Sequence, residues 1–438
     1  MRKTAAFLLG LAPAAALAST PGQVDSGDTA LLLVSAGLVL LMTPGLAFFY
    51  GGLVRAKNVV HTMILSLVCM ALVGVLWAVL TYSLSFAPGP GSLDAVIGGL
   101  GFAGLSGVGA EVAKDLAPTV PHAAFMLFQA MFAVITPALI SGAVVERVRV
   151  KAFVLFVAFW AIVVYAPVAH WVWAPGGWLH KLGALDFAGG TVVHINAGIA
   201  ALAVVLVIGR RRGWPQSPMP PHSLPLTLIG TGILWFGWFG FNAGSALGAN
   251  ALAVQALVNT HMAAAAAMLG WLVVERIHGG HATTLGAASG AVAGLVAITP
   301  CAGFVGGMSA IAIGFVTGAI CFAAVNVKFK FRFDDALDVV GVHLVGGIVG
   351  SLLLGFFADR HVNAAGRNGV FLGGGWGLFG DQLVAVVATL VYSFVVTFAI
   401  AWTLDKLLPG GLRAGDEEED SGLDLSEHAE TGYAFAER

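Results

Sequence analysis

The chain has 438 residues, of which 58% are hydrophobic and 10% are charged, and its formal net charge is −2. Soluble domains carry about 25% charged residues, so this composition excludes an ordinary soluble domain and indicates a protein that crosses a membrane many times. No basic patch with interleaved aromatic residues suggests a nucleic-acid partner, and three scattered cysteines are too few for a disulfide framework.

The first 18 residues have the pattern of a secretory signal peptide. Arg2 and Lys3 precede a short apolar core, and Ala16, Leu17 and Ala18 match an A-x-A cleavage site. Removal of residues 1–18 would leave a mature chain that starts outside the membrane.

Eleven apolar segments follow, each close to the roughly 20 residues that a spanning helix needs. They cover 29–54, 59–86, 122–145, 152–173, 189–209, 224–244, 250–274, 282–299, 303–324, 336–357 and 381–404. Counted from an outer N-terminus, the inner loops hold fourteen Lys and Arg residues and the outer loops hold four. This asymmetry predicts an N-terminus outside and a C-terminus in the cytosol.

A histidine pattern is duplicated in the fifth and tenth predicted spans. His194 lies in TVVHINAGIAAL and His343 lies in VGVHLVGGIVGS. Asp186 and Asp335 each stand eight residues before their histidine, and the tripeptide ITP recurs in the third and eighth spans. Matches that are five spans apart predict two repeats of opposite orientation, with the transported species near the midplane at their interface.

The predicted fold class is therefore an all-α polytopic membrane protein with eleven transmembrane helices, arranged as two inverted five-helix repeats and a final helix. The transmembrane domain covers residues 19–412, with repeats at about 29–209 and 224–357 and the last helix at about 381–404. The acidic, polar segment 413–438 is a cytosolic tail, either disordered and solvated or a docking segment for the bundle or a soluble partner.

Two histidines at similar depth can share a proton, because one ring nitrogen donates while the other accepts. Such a pair suits a narrow apolar pore for a small species that exchanges protons. The alternative is that each histidine separately caps a carbonyl group, and a metal pair lacks a third ligand, so no metal site is predicted. We expect Asp186 to cap the fifth helix and to steady a cation outside, and Asp335 to have a structural capping role at the inner mouth.

Five long motifs resemble the ammonium transporter (Amt/Mep/Rh) family, in its bacterial Amt branch. They are DFAGGTVVHINAG, GWFGFNAGSA, SGAVAGLVAITPCAGFVG, DDALDVVGVHLVGGIVG and GLDLSEHAE, and the resemblance runs from Thr29 to about Tyr433. It implies an inner-membrane homotrimer with one pore in each protomer and no cofactor. It also implies a PII-type signal protein that docks on the cytosolic face and blocks the exits.

The resemblance further implies an outer vestibule that recruits ammonium. The matching residues are Phe132, Trp173 and Ser245, and Asp186 matches the aspartate that supports recruitment. The segment between the vestibule tryptophan and Asp186 is one residue longer than the family pattern, so Trp171 remains an alternative to Trp173.

Below the vestibule, Phe132 and Phe241 resemble the stacked rings that close its floor, and His194 and His343 resemble the twin-histidine pair of the pore. Aromatic faces attract a cation, and an apolar pore penalises the charged form of ammonium. Potassium has no proton to lose and stays excluded. The predicted function is thus an ammonium transporter that binds NH4+ outside, deprotonates it and passes NH3, with or without the proton.

Three other functions compete with this interpretation. An electroneutral channel for ammonia or carbon dioxide is one, and an ammonium sensor that signals through its tail is another. Such sensors carry a fused signalling domain, which we do not expect here because the chain ends soon after the last span. A membrane enzyme is least favoured, because the sequence shows neither a nucleophile–base pair nor a complete metal site.

Overall fold

The computed structural model describes residues 22–433, so the predicted signal peptide lies outside the described residues. Within that range, ten helices are long and apolar enough to cross a membrane, and a shorter apolar helix, α8, lies among them. In chain order the helices are α1 (Ser26–Leu53), α2 (Ala56–Phe86), α3 (His122–Val144), α4 (Val150–Leu182), α5 (Gly190–Ile208), α6 (Leu224–Gly244), α7 (Ala251–Gly279), α8 (Thr284–Ile298), α9 (Gly307–Phe331), α10 (Val340–Phe357) and α11 (Gly377–Leu407).

The prediction of a helical polytopic membrane fold is confirmed, whereas the count of eleven crossings stays a prediction. Helix α8 has 15 residues, fewer than the roughly 17–25 that usually span a bilayer, and most of its residues are buried among neighbouring helices. The predicted bounds are close for most spans. The largest difference is in the fourth span, predicted to end at 173, where the chain turns at 174–177 and adds the short helical piece Trp178–Leu182.

Two small features complete the architecture. A two-stranded antiparallel hairpin, β1 (Val112–Ala113) and β2 (Ala117–Pro121), lies between α2 and α3, so the fold contains a little strand that the sequence did not predict. Two short helices, α12 (Asp416–Ser421) and α13 (Leu423–His428), lie in the tail. The end of the bundle with the hairpin is called the outer end, after the predicted orientation, and the opposite end is the inner end.

Helices α3 and α5 form the centre of the bundle. The most apolar window of α5 is 83% buried and that of α3 is 78% buried, against 28% for α2 and α11. A helix that is apolar all round and enclosed by others belongs to the core, whereas α2 and α11 expose a wide apolar face, as lipid contact requires.

Two glycines allow α5 and α10 to cross closely. A Cβ at Gly198 would lie 2.5 Å from the backbone nitrogen of Leu344, and a Cβ at Gly347 would lie 2.9 Å from the side chain of Ile195. Small residues at such crossings let helix backbones approach in a membrane, where hydrophobicity alone does not bring helices together. This crossing positions the two histidines of the candidate site.

At the inner end, Arg55, Glu146, Arg147, Arg211 and Asp334 form a buried charge cluster that joins four loops. The guanidinium of Arg211 donates two hydrogen bonds to the Asp334 carboxylate, at 2.8 and 2.9 Å, and one to Glu146, at 3.0 Å. Burial alone would raise the pKa of Glu146, but the hydrogen bonds from Arg55 and the charge of Arg211 lower it below 4.5. In the same way, burial of Asp334 is outweighed by Arg211 and Arg147, and its pKa is lowered.

The tail packs against the inner end of the bundle. The Asp424 carboxylate accepts hydrogen bonds from the backbone nitrogens of Val60 and His61, at 3.1 and 2.8 Å, in the first turns of α2. The ammonium group of Lys57 donates to two backbone carbonyl groups of α12, at 2.6 and 2.8 Å. Of the two alternatives for the tail, docking on the bundle describes this structure.

Candidate functional site

The outer cavity has a volume of about 220 Å³ and contains three of the predicted vestibule residues, Phe132, Trp173 and Ser245. The Ser245 hydroxyl donates its hydrogen to the Phe241 carbonyl oxygen at 2.9 Å. Since that hydrogen is used, the hydroxyl oxygen is left to accept a hydrogen bond from a cation in the cavity.

Trp173, rather than Trp171, lines the outer cavity. The Trp173 ring meets the Phe132 ring edge-on at 5.8 Å, and its indole N–H donates to the Asp186 carbonyl oxygen at 3.0 Å. Trp171 points elsewhere, donating to the Val96 carbonyl oxygen at 2.7 Å.

The structure places Asp186 behind the cavity wall rather than in it. Its carboxylate accepts hydrogen bonds from the backbone nitrogens of Gly189, Gly190, Thr191 and Val192, at 2.6–3.1 Å, and it does not line the outer cavity. The expected capping of α5 is therefore observed. In this position Asp186 does not contact a cation in the outer cavity. Any effect of Asp186 on such a cation therefore acts through the negative charge of its carboxylate.

Two phenylalanine rings separate the outer cavity from the interior. The ring centroids of Phe132 and Phe241 lie 4.3 Å apart with 39° between their planes, and both side chains are almost completely buried. Phe132 lines the outer cavity, whereas Phe241 lines the narrow space beyond it. The two rings thus form a closed partition in this structure.

Beyond the partition lies a narrow apolar space of about 10 Å³, walled by the two histidines and aliphatic and aromatic side chains. A water molecule needs a similar volume of about 10–15 Å³, so the space suits one very small molecule. The Nδ1 atoms of His194 and His343 are 3.3 Å apart, and the two rings stack with 18° between their planes. The structure therefore brings the duplicated histidines together, and the alternative of two separate caps does not describe it.

Both histidines lie in π-helical turns, which the sequence reading did not predict. His194 belongs to Gly190–Ile195 and His343 to Val340–Leu344, and such wide turns often occur at functional sites. The Asp335 carboxylate accepts hydrogen bonds from the nitrogens of Val339 and Val340, at 3.1 and 2.7 Å, so its expected capping role is observed. Burial raises the pKa of Asp335 to about 6.

Trp238 is a further residue of this site that was not singled out from the sequence. Its ring stacks on His194 at 5.3 Å with 20° between the planes, and its N–H donates to the Thr299 hydroxyl at 2.8 Å. Thr299 is the threonine of the second ITP tripeptide. The repeated ITP tripeptide could therefore have indicated this part of the site. It marks Thr299, which holds the Trp238 ring in place, and not Trp238 itself.

On the other side of the histidines, an inner cavity of about 300 Å³ opens toward the inner end. His343 and Phe49 line both the narrow space and this cavity, and Lys328 and Asp338 stand at its rim. Four parts therefore follow one another through a single chain. They are the outer cavity, the phenylalanine partition, the narrow space and the inner cavity. Such a sequence of spaces can pass a small neutral molecule and exclude a hydrated ion.

Comparisons with known proteins all point to one family. The family model described as Ammonium Transporter Family matches residues 30–433. The ammonium transporter of Bacillus subtilis (strain 168) is 51% identical, over 94% of this chain and 99% of the relative. The crystal structure of Saccharomyces cerevisiae Mep2 superposes with a TM-score of 0.84 at 36% identity, covering 90% of this chain and 89% of that one. A solved structure named Sensor Amt Protein superposes with a TM-score of 0.81 at 28% identity, covering 92% and 98%.

Proposed function

The chain belongs to the ammonium transporter family, and on that premise we propose that it gathers NH4+ in the outer cavity and passes NH3 between the two histidines. The observation that carries the proposal is the order of the spaces described above. A polar, aromatic chamber is followed by an apolar passage with room for about one small molecule. The only side-chain nitrogens at that passage belong to His194, His343 and Trp238, among residues 22–433.

Recruitment uses groups that favour a cation with N–H donors. The ring face of Trp173 attracts a cation by roughly 0.5–2 kcal/mol, and the free lone pairs of Ser245 accept an N–H bond. Beyond Phe132 and Phe241, the charged form loses its hydration without an ion partner, which costs several kcal/mol. Ammonium can avoid that cost by releasing a proton, either back to the outer side or along the two histidines, whereas potassium has no proton to release.

In the apolar passage, the histidine pair then provides hydrogen-bonding groups for ammonia. At a separation of 3.3 Å between the Nδ1 atoms, one ring donates and the other accepts, so the two rings hold one hydrogen between them. The Nε2 atom of His194 is buried without a hydrogen-bond partner among the described residues. A buried polar atom without a partner costs about 1–3 kcal/mol, and passing ammonia can supply the missing bond.

The decisive experiment replaces both pore histidines with alanine and measures uptake of labelled methylammonium by a strain without ammonium transporters. We expect about tenfold or greater loss of uptake, or loss of discrimination against potassium, because the passage then offers ammonia no hydrogen bond. His278→Ala is the matched control, since His278 is exposed at the end of α7. Unchanged uptake and selectivity in the double variant would contradict the proposed route.

Net charge movement distinguishes electrogenic transport from an electroneutral gas channel. Purified protein in a planar bilayer should give an ammonium-dependent current if the proton follows ammonia, and ammonia flux without current would identify a gas channel. The resemblance to a solved sensor makes signalling a second candidate. A sensor would bind ammonium yet fail to restore methylammonium uptake.

Assembly and regulation complete the proposal. The protein is proposed to act as an inner-membrane homotrimer, after cleavage of residues 1–18, with its C-terminus in the cytosol. A PII-type signal protein is proposed to dock at the inner end. Recovery of PII by the intact chain but not by a chain truncated after Leu412 would support a role for the tail, and equal recovery would refute it.

A further inference from the structure

Asp115 is an unpaired carboxylate at the mouth of the outer cavity. It lies in the turn between β1 and β2 and lines the cavity together with Trp173 and Ser245. Within residues 22–433 its carboxylate makes no hydrogen bond and no ion pair. Asp186, the nearby carboxylate that the sequence pointed to, is by contrast fully occupied by backbone nitrogens.

The hairpin holds Asp115 in a defined place. The backbone nitrogen of Leu116 donates to the Ala113 carbonyl oxygen at 2.8 Å and closes the turn. Ala117 and Val120 of β2 are completely buried, and the carbonyl groups of Pro118 and Thr119 each accept a hydrogen bond at 2.8 Å from the segment before α1. The backbone of the turn is therefore held on both sides, which keeps Asp115 next to the outer cavity.

Two lysines lie near this carboxylate, and neither forms an ion pair with it within residues 22–433. Lys114 and Lys181 line an adjoining cavity and not the outer cavity, whereas Asp115 lines both. The second titratable group at the outer cavity is His180, which is exposed. Among the described residues, the outer cavity is lined by one carboxylate without a partner, a serine hydroxyl, the Gln129 amide, His180 and aromatic rings, a set that favours a small monovalent cation.

We propose that Asp115 concentrates ammonium and alkylammonium cations at the outer cavity before they reach Trp173 and Ser245. The proposal rests on the transport function proposed above and adds a recruiting residue to it. A fixed charge at the mouth of a cleft raises the local concentration of counter-ions, and the effect falls as salt screens it. Asp115 does not touch the partition or the histidines, so it acts on capture and not on passage.

The test is Asp115→Asn, compared with Glu111→Gln as the matched control. Glu111 is exposed on the same hairpin segment but lines neither cavity. At about 10 mM ionic strength, where the screening length is about 30 Å, Asp115→Asn should raise the half-saturating methylammonium concentration about two- to threefold. Its maximal uptake rate should equal that of the unchanged protein, and Glu111→Gln, at a residue that lines neither cavity, should shift the half-saturating concentration by less.

Salt is the second readout. At about 0.15 M ionic strength the screening length is about 8 Å, and the difference between Asp115→Asn and the unchanged protein should shrink. The proposal is overturned if Asp115→Asn keeps the original half-saturating concentration, or if Glu111→Gln shifts that concentration equally. It is also overturned if the shift caused by Asp115→Asn is the same at both salt concentrations. These outcomes are distinct from failure of the proposed function, in which the unchanged protein itself takes up no methylammonium.

Discussion

Gly198 sets the distance between the helices that carry the two histidines, and Gly198→Ala should break their contact. A Cβ at this position would lie 2.5 Å from the backbone nitrogen and 2.6 Å from the Cβ of Leu344, the residue after His343. Ordinary contacts begin at 3.4 Å. Because both atoms of Leu344 belong to a packed helix, rotation of a side chain cannot relieve the overlap.

The size of the effect follows from this geometry. Restoring ordinary contact moves α5 and α10 apart by about 0.9 Å, from 2.5 Å to 3.4 Å at the new atom. The 3.3 Å separation of the histidine Nδ1 atoms would then become about 4.2 Å, beyond hydrogen-bond range. Overpacking of this kind costs typically about 1–3 kcal/mol of stability.

Methylammonium uptake and thermal stability in detergent are the two measurements. Gly198→Ala should melt earlier and lose most of its uptake, whereas Gly74→Ala should behave like the unchanged protein or better. Gly74 lies in α2 with no atom within 4 Å of a built Cβ, so alanine there adds helix propensity without a clash. If Gly198→Ala retained both stability and uptake, the close crossing would not be what holds the histidines together.

Three further predictions address the outer cavity, the tail and the buried charge cluster. Trp173→Leu should raise the half-saturating methylammonium concentration about 2- to 30-fold, the equivalent of one cation–π contact. Trp171→Leu should leave that concentration unchanged, because Trp173 lines the outer cavity and Trp171 does not. Asp424→Ala removes two hydrogen bonds to backbone nitrogens of α2 and should destabilise tail docking by about 0.5–2 kcal/mol. Faster hydrogen exchange in α13 would show this loss, and exchange at the original rate would show that the two bonds do not hold the tail. Arg211→Gln should cost up to about 3–5 kcal/mol at pH 7, because it removes the guanidinium shared by two buried carboxylates and leaves Asp334 with only the 4.0 Å contact to Arg147. Since the carboxylates of the cluster have lowered pKa values, its stabilisation is present above about pH 4.5 and is lost as the pH falls through the folded-state values. Thermal unfolding at pH 7 and pH 3 should therefore show a smaller loss on acidification for Arg211→Gln than for the unchanged protein.

The main elements of the site could be predicted because each has a local signature. The apolar segments follow from bilayer thickness, and their bounds agree with the helices to within a few residues at most ends. The duplicated His194 and His343 stand out because a histidine in an apolar helix is costly and two with matched aspartates are not expected by chance. The paired capping of α5 and α10 follows from the same spacing.

Other features could not be predicted because they depend on contacts between distant segments. Nothing in the local sequence distinguishes Trp171 from Trp173, since the choice depends on which ring faces Phe132 across two helices. The stacking of Trp238 on His194 joins α6 to α5. The docking of the acidic tail depends on partners such as Lys57, more than 350 residues earlier in the chain.

By itself, the sequence determined that this protein is a helical membrane protein with a duplicated histidine, because hydropathy and spacing are properties of single segments. Only the tertiary structure decided that the two rings meet in a passage of about 10 Å³, that backbone nitrogens bind Asp186, and that Asp115 lines the outer cavity without a partner from residues 22–433. The physical reason is that a passage exists only between helices, so its width and its lining are set by how closely α5, α10 and their neighbours pack.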